Sequence, residues 1–247
     1  MIFFCLGLYI ATITFASVYG SGFYTVESNP FQRPYSGWAI EFWQSLMTAP
    51  QGFDKIVDPT TGQQECWLHE SLNYSVVMLP HIEGRSDYNP YCNISPNKAI
   101  LVTLLAGECD SALLINVTDH EKLATCARES DEGLKEWEIS IDGAIAAKGF
   151  GDNSISRQFK VNGTPPFDVV IPKNNNWQID IDALAFQKFK VNDTAIKVPA
   201  AAHGYYVILK PLPPGEHEVL VYYVRTFPGD ANNTPVITKS VATVTVK

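Results

Sequence analysis

Apolar side chains recur along this chain at two periods, and the shorter one dominates. Helical spacing is confined to two places. From Gly37 to Thr48, Trp38, Phe42 and Leu46 fall on one stripe, and Pro50 stops the turn that follows. From Thr118 to Glu129 the pattern opens on Thr118-x-x-Glu121, a capping box, and runs through Leu123 and Ala124 to Cys126. The rest reads as strands and turns. Val76 to Leu79, Ala99 to Leu105 and Leu113 to Val117 are short continuous apolar runs, which predict strands covered on both faces. Trp177 to Asp182 alternates apolar with polar, as a half-exposed strand does. Tyr205 to Leu209 and Val219 to Val224 flank a rigid Pro211-Leu-Pro-Pro-Gly-Glu216 turn, predicting a hairpin or a β-arch. Val241 to Val246 is β-branched almost throughout. Together these predict a mainly β fold: a β-sandwich, Ig-like or jelly-roll-like, with one N-terminal helix and one short disulfide-tied helix.

The first residues change the picture of where this domain works. Ile2 to Ile13 is apolar and uncharged, and the small residues Ala16, Ser17, Gly20, Ser21 and Gly22 follow. That is the core and cleavage region of a secretory signal, although no Lys or Arg precedes it. The competing reading is an uncleaved anchor that tethers a surface protein to the membrane, since about 18 apolar residues approach the spanning length. Residues 1–20 are therefore expected to be a signal peptide and residues 21–247 a single β-sandwich domain, with no span after cleavage.

Cysteine usage agrees with export. Cys5 lies in the signal, leaving Cys66, Cys92, Cys109 and Cys126, an even set that predicts two disulfides. Three connectivities are open; pairing neighbours, Cys66 with Cys92 and Cys109 with Cys126, closes short loops without crossing. C-x2-C zinc spacing is absent. Asn-x-Ser/Thr acceptors stand at Asn73, Asn93, Asn116, Asn162, Asn192 and Asn232, more than the roughly two that chance supplies, and predict a glycoprotein. The balance of 18 Lys+Arg against 26 Asp+Glu, net −8, argues against nucleic acid or an anionic membrane surface as partner.

Four segments stand out together: Asp58-Pro-Thr-Thr-Gly62 leading to Cys66, Cys92 through Lys98-Ala99-Ile100, the Glu108-Cys109 dipeptide, and His203-Gly-Tyr-Tyr-Val-Ile-Leu-Lys-Pro-Leu-Pro-Pro-Gly-Glu-His217. In these the chain resembles a group of uncharacterised secreted bacterial and archaeal proteins. The chain departs from that group between Ser75 and His81, which lacks its Trp and Gly, and at Asn97, where the group has Gly. The resemblance implies a secreted β-sandwich and no particular activity.

Candidate chemistry is sparse. Glu108 and Asp110 follow the Ala99 to Leu105 run and flank Cys109; with Asp58 they form a candidate oxygen set for Ca2+, the alternative being that Glu108 caps the next turn or pairs with Lys98 or Lys210. His203 and His217, if they meet across the arch, would form half of a metal or proton-transfer site that still needs a third ligand. A polysaccharide hydrolase would pair Glu108 with Asp180 or Asp182. No G-x-S-x-G, H-E-x-x-H or P-loop occurs. Tyr205, Tyr206, Tyr222, Tyr223, Trp177, Tyr88 and Tyr91 offer aromatic surface for sugar or protein, with one of each adjacent pair facing away from the core. The leading expectation is a non-catalytic extracellular protein for binding or cell-surface architecture, its ligand a carbohydrate or a protein.

Overall fold

The Trp38, Phe42 and Leu46 stripe folds as a helix, α1 (Tyr35–Leu46), and all three side chains are buried. The computed structural model describes residues 22–49, 63–66, 69–70, 76–79, 89–114, 117–173, 195–227 and 234–247. Asp58, Tyr88, Trp177, Asp180, Asp182 and the acceptors Asn73, Asn116, Asn192 and Asn232 lie outside the described residues, as does the signal segment up to residue 21. Among the described residues no helix is long and apolar enough to cross a membrane.

The strands, in chain order, are β1 (Phe23–Tyr24), β2 (His69–Glu70), β3 (Val76–Leu79), β4 (Tyr91–Ile94), β5 (Ala99–Asp110), β6 (Leu134–Ile141), β7 (Ala144–Phe150), β8 (Lys160–Val161), β9 (Phe167–Pro172), β10 (Ala195–Leu209), β11 (Gly215–Thr226) and β12 (Pro235–Val246). They form two sheets. In the first the order is β1-β10-β5-β3-β2, with β8 and β9 also pairing along β10; in the second it is β4-β12-β11-β6-β7. The fold is a β-sandwich with two helices. Val77, Ile100, Val102, Tyr205, Val207 and Leu209 of the first sheet interdigitate with Trp137, Ile139, Val219, Val221, Tyr223 and Val244 of the second. This is how two inner faces bury their alternate residues.

The other face of the first sheet is covered as well. Val76, Met78, Leu101, Tyr206 and Ile208 pack under Trp38, Ala39 and Phe42 of α1. Tyr205 and Tyr206 are therefore both buried, at 2% and 0% exposure, and neither is the wet tyrosine that alternation predicts. In the second sheet alternation holds: Tyr223 points into the core and Tyr222 is half-buried on the outside. The Pro-rich turn carries the chain from β10 in one sheet to β11 in the other, so it is an arch.

Two boundaries differ from expectation. The run expected as a strand from Leu113 begins in a turn, because Asp110 accepts the N–H groups of Ala112 and Leu113 at 2.6 and 2.8 Å and bends the chain. The second helix, α2 (His120–Ser130), starts one residue later than the capping box implies; Asp119 is its N-cap and accepts the Glu121 N–H at 2.9 Å. Disulfides join Cys66 to Cys92 and Cys109 to Cys126, and the second ties α2 to the end of β5.

Candidate functional site

Strand β5 carries the site, and an irregularity in it decides which side chains reach it. Thr103 pairs with Tyr206 but Ala106 pairs with Gly204, so Leu104 and Leu105 together oppose Tyr205. Such a bulge resets the alternation. Leu104 and Leu105 both enter the sandwich core, and beyond them Ala106, Glu108 and Asp110 share the face that carries α1. Gly107 and Cys109 face α2.

Helix α2 lies close on this strand because Gly107 has no side chain. A Cβ there would sit 2.3 Å from the Ala127 carbonyl oxygen and 2.6 Å from the Ser130 Cβ. The turn after α2 is clasped to the end of β11 in the same way. Gly133 has φ +89°, and the Thr226 N–H donates to its carbonyl at 3.0 Å. Asp131, at the end of α2, is buried and bonds Nδ1 of buried His203 at 2.5 Å, fixing the helix to β10. Arg225 is only 3% exposed; its Nη1 donates to the Ser130 carbonyl at 2.9 Å and its guanidinium lies 4.0 Å from the Phe227 ring centroid.

These elements border a cavity of about 690 Å³ that is open to solvent and has the size of a small-molecule site. Its aromatic members are Trp43 of α1 and Phe227 after β11, the latter 45% exposed; Ala106 to Glu108, the Cys126 end of the disulfide and Ser130 also line it. Glu129 and Glu132 stand exposed on the rim. Trp43 is held by its indole N–H, which donates to the Tyr206 hydroxyl at 2.7 Å. The lining spans both faces of the first sheet, so the cavity runs along the β5 edge. Beyond Val102 that strand has β10 as its only strand neighbour among the described residues.

Glu108 is the unusual member. Its Oε1 is closed to water and has no hydrogen-bond partner among the described residues. Burial, reinforced by the nearby Asp110 charge, pushes its carboxyl well above the ordinary value. Asp110 is pushed up by burial and drawn back by the N–H groups of Leu113 and Ala112. The two carboxylates thus split: Asp110 caps the turn, which was one alternative role for Glu108, and of the two only Glu108 lines the cavity. Both belong to β5 itself, which extends five residues past the expected Leu105 end.

The other candidates separate. His203 bonds Asp131, whereas His217 bonds Asp142 at 2.8 Å and the Pro213 carbonyl at 2.9 Å. Six residues of strand, about 20 Å, lie between His203 and the end of β10, so the two histidines do not meet. Tyr91 is engaged at the surface, donating to Glu216 at 2.8 Å and accepting from Thr245 at 3.1 Å. Among the acceptor asparagines, Asn93 and Asn162 are described and both are exposed.

Trp43, Arg225 and Phe227 were not singled out in the sequence. Arg225 did leave a signal: it continues the inward phase of Val219, Val221 and Tyr223, and a cation at a core position demands partners. Trp43 sits beside the apolar stripe and Phe227 just past a strand end, positions that carry no signal of their own.

No protein-family model and no curated protein sequence matches the chain. Among solved structures it is similar to the solution structure of amebosin (10% identity, TM-score 0.19, covering 69% of this chain and 96% of that one). It is also similar to the crystal structure of the cysteine protease inhibitor EhICP2 from Entamoeba histolytica (13% identity, TM-score 0.23, 69% and 97%). A third is PbICP-C in complex with falcipain-2 (12% identity, TM-score 0.27, 70% and 99%). Similarity at these TM-scores bears no weight on function.

Proposed function

We propose that this is an exported, glycosylated binding protein whose ligand site is the cavity on the β5 edge. The observation that carries the reading is Glu108, a carboxyl with a closed, unpartnered oxygen, standing in a concave site walled by Trp43 and Phe227. Buried polar groups left unpaired cost stability, and sites that await a ligand are where proteins retain them. The surround is rigid, since the Cys109–Cys126 disulfide, the Arg225–Ser130 bond and the Trp43–Tyr206 bond each fix one wall. Rigid walls lower the ordering cost of binding. Export itself rests on the apolar segment before residue 21, the even cysteine count and the six acceptor asparagines.

Hydrolysis of polysaccharide is the second reading, favoured by three carboxylates that share one concavity with two aromatic rings. Binding ranks above it because catalysis needs a second carboxylate fixed in place. Glu129 and Glu132 are exposed, and neither side chain makes a hydrogen bond or ion pair among the described residues.

The test is a ligand-class screen of the mature protein by saturation-transfer NMR, with neutral oligosaccharides, organic anions and organic cations as the classes. A reducing-end assay on polysaccharide runs beside it. Binding without release of reducing ends supports the proposal. Release that is lost in Glu108→Gln replaces it with a hydrolase. A folded protein that neither binds nor cleaves any class overturns both readings.

A further inference from the structure

The charge around the cavity is lopsided in a way that defines a ligand. Among the described residues that line it, Glu108, Glu129 and Glu132 stand against one guanidinium, that of Arg225, which is engaged by the Ser130 carbonyl and the Phe227 ring. Glu108 has a closed oxygen that accepts from no donor among the described residues, and carboxylates outnumber cations three to one in the described lining, so the balance there favours an added positive charge. Its carboxyl torsion is soft, and rotation presents either oxygen to an incoming group. The exposed rim pair attracts cations toward the opening. The walls complete the pattern. Indole and phenyl faces hold alkylated or delocalised cations, whereas a hard divalent ion needs a shell of oxygens. Asp110, the other described carboxylate of the candidate calcium set, spends Oδ1 on two backbone N–H groups.

Resting on the binding reading above, we infer that the cavity takes an organic cation, an alkylammonium or guanidinium group. Its charge is met by Glu108, and its apolar stem lies between Trp43 and Phe227. That chemistry is shared by a free amine and by a Lys or Arg side chain of a partner protein, and the arms of the test separate the two.

The experiment is calorimetric titration of the mature protein with n-butylguanidinium chloride, n-butylammonium chloride, a blocked tripeptide with a central Arg, and calcium chloride. At least one organic cation binds the wild type. Glu108→Gln weakens it tenfold or more, while Glu121→Gln, an exposed change on the first turn of α2 away from the cavity, leaves it unaltered. A peptide that binds at least tenfold tighter than the free cations identifies a protein side chain as the source, and equal affinities identify a free amine. A folded Glu108→Gln protein that binds as the wild type does overturns the inference, as does calcium bound in preference to every organic cation. Absence of heat from all the organic cations also overturns it; if neutral oligosaccharides still bind, the binding reading survives and only the cation is lost.

Discussion

Glu108 and Asp110 stand two residues apart on one face of one strand and are used in opposite ways. Asp110 accepts the N–H groups of Ala112 and Leu113 and so closes the turn that ends β5. Glu108 keeps an oxygen that is shut from water and bonded to nothing among the described residues. The burial of Asp110 is compensated by two backbone N–H groups, and that of the closed Glu108 oxygen is not compensated among the described residues.

Glu108 should therefore cost the free protein stability. Its folded pKa lies above the ordinary 4.5, so the penalty is absent below that pH and grows as pH rises toward the folded value. Glu108→Gln is expected to match the wild type near pH 4 and to be more stable near pH 8, by about 1–3 kcal/mol. Urea unfolding at the two pH values measures the difference.

The approach of α2 to β5 depends on Gly107. In Gly107→Ala the new methyl meets the Ala127 carbonyl oxygen, which belongs to backbone and gives way only if the helix shifts. A loss of about 1–3 kcal/mol is expected, with weaker ligand binding, because Ser130 and Glu129 move with the helix. Thermal unfolding and titration of the same variant check both effects.

Within the sandwich core, Trp137 donates its indole N–H to the Ser156 hydroxyl at 2.8 Å, and that hydroxyl donates in turn to the Gly151 carbonyl at 2.6 Å. Both side chains are fully buried. Ser156→Ala leaves the indole N–H unpaired and is expected to lower stability by about 1–3 kcal/mol without affecting the cavity. Unfolding experiments should show the loss while ligand affinity stays unchanged.

The His217–Asp142 pair sets a pH window. Burial opposes charge on His217, yet its bonds to Asp142 and the Pro213 carbonyl outweigh that and raise its pKa above 6.5. Burial likewise opposes charge on Asp142, and the His217 bond and the Glu218 N–H outweigh it, lowering its pKa below 3.8. The pair's contribution is complete between these two ordinary values. It fades as pH rises through the raised histidine pKa and as pH falls through the lowered aspartate pKa. His217→Gln should show its largest stability deficit near pH 5 and a smaller one near pH 9, read from denaturant midpoints.

How much of this was legible in the sequence depended on whether local pattern or tertiary context decided the outcome. Trp38, Phe42 and Leu46 announced a buried helix face because a single period fixes it. The run Val241 to Val246 announced the second half of β12 through its β-branched side chains. Tyr205 and Tyr206 misled, since alternation assumes one wet face and here α1 covers the second. The bulge at Leu104 and Leu105 has no sequence mark, although it turns Glu108 and Asp110 onto the α1 face. Glu108 was named from the strand it adjoins, but the cavity joins it to Trp43, Arg225 and Phe227, which only the sandwich brings together.

The central claim, that the cavity on the β5 edge is where this protein meets its ligand, is tested most directly by mapping. The protein, isotopically labelled, is titrated with the organic cation or oligosaccharide that binds it, and shifts are followed at the Trp43 indole N–H and at the backbone amides of Gly107, Glu108, Ser130 and Phe227. Shifts that concentrate on those positions are predicted. Shifts that gather instead on the outer face of the second sheet, around Leu220, Tyr222 and Val224, would contradict the account.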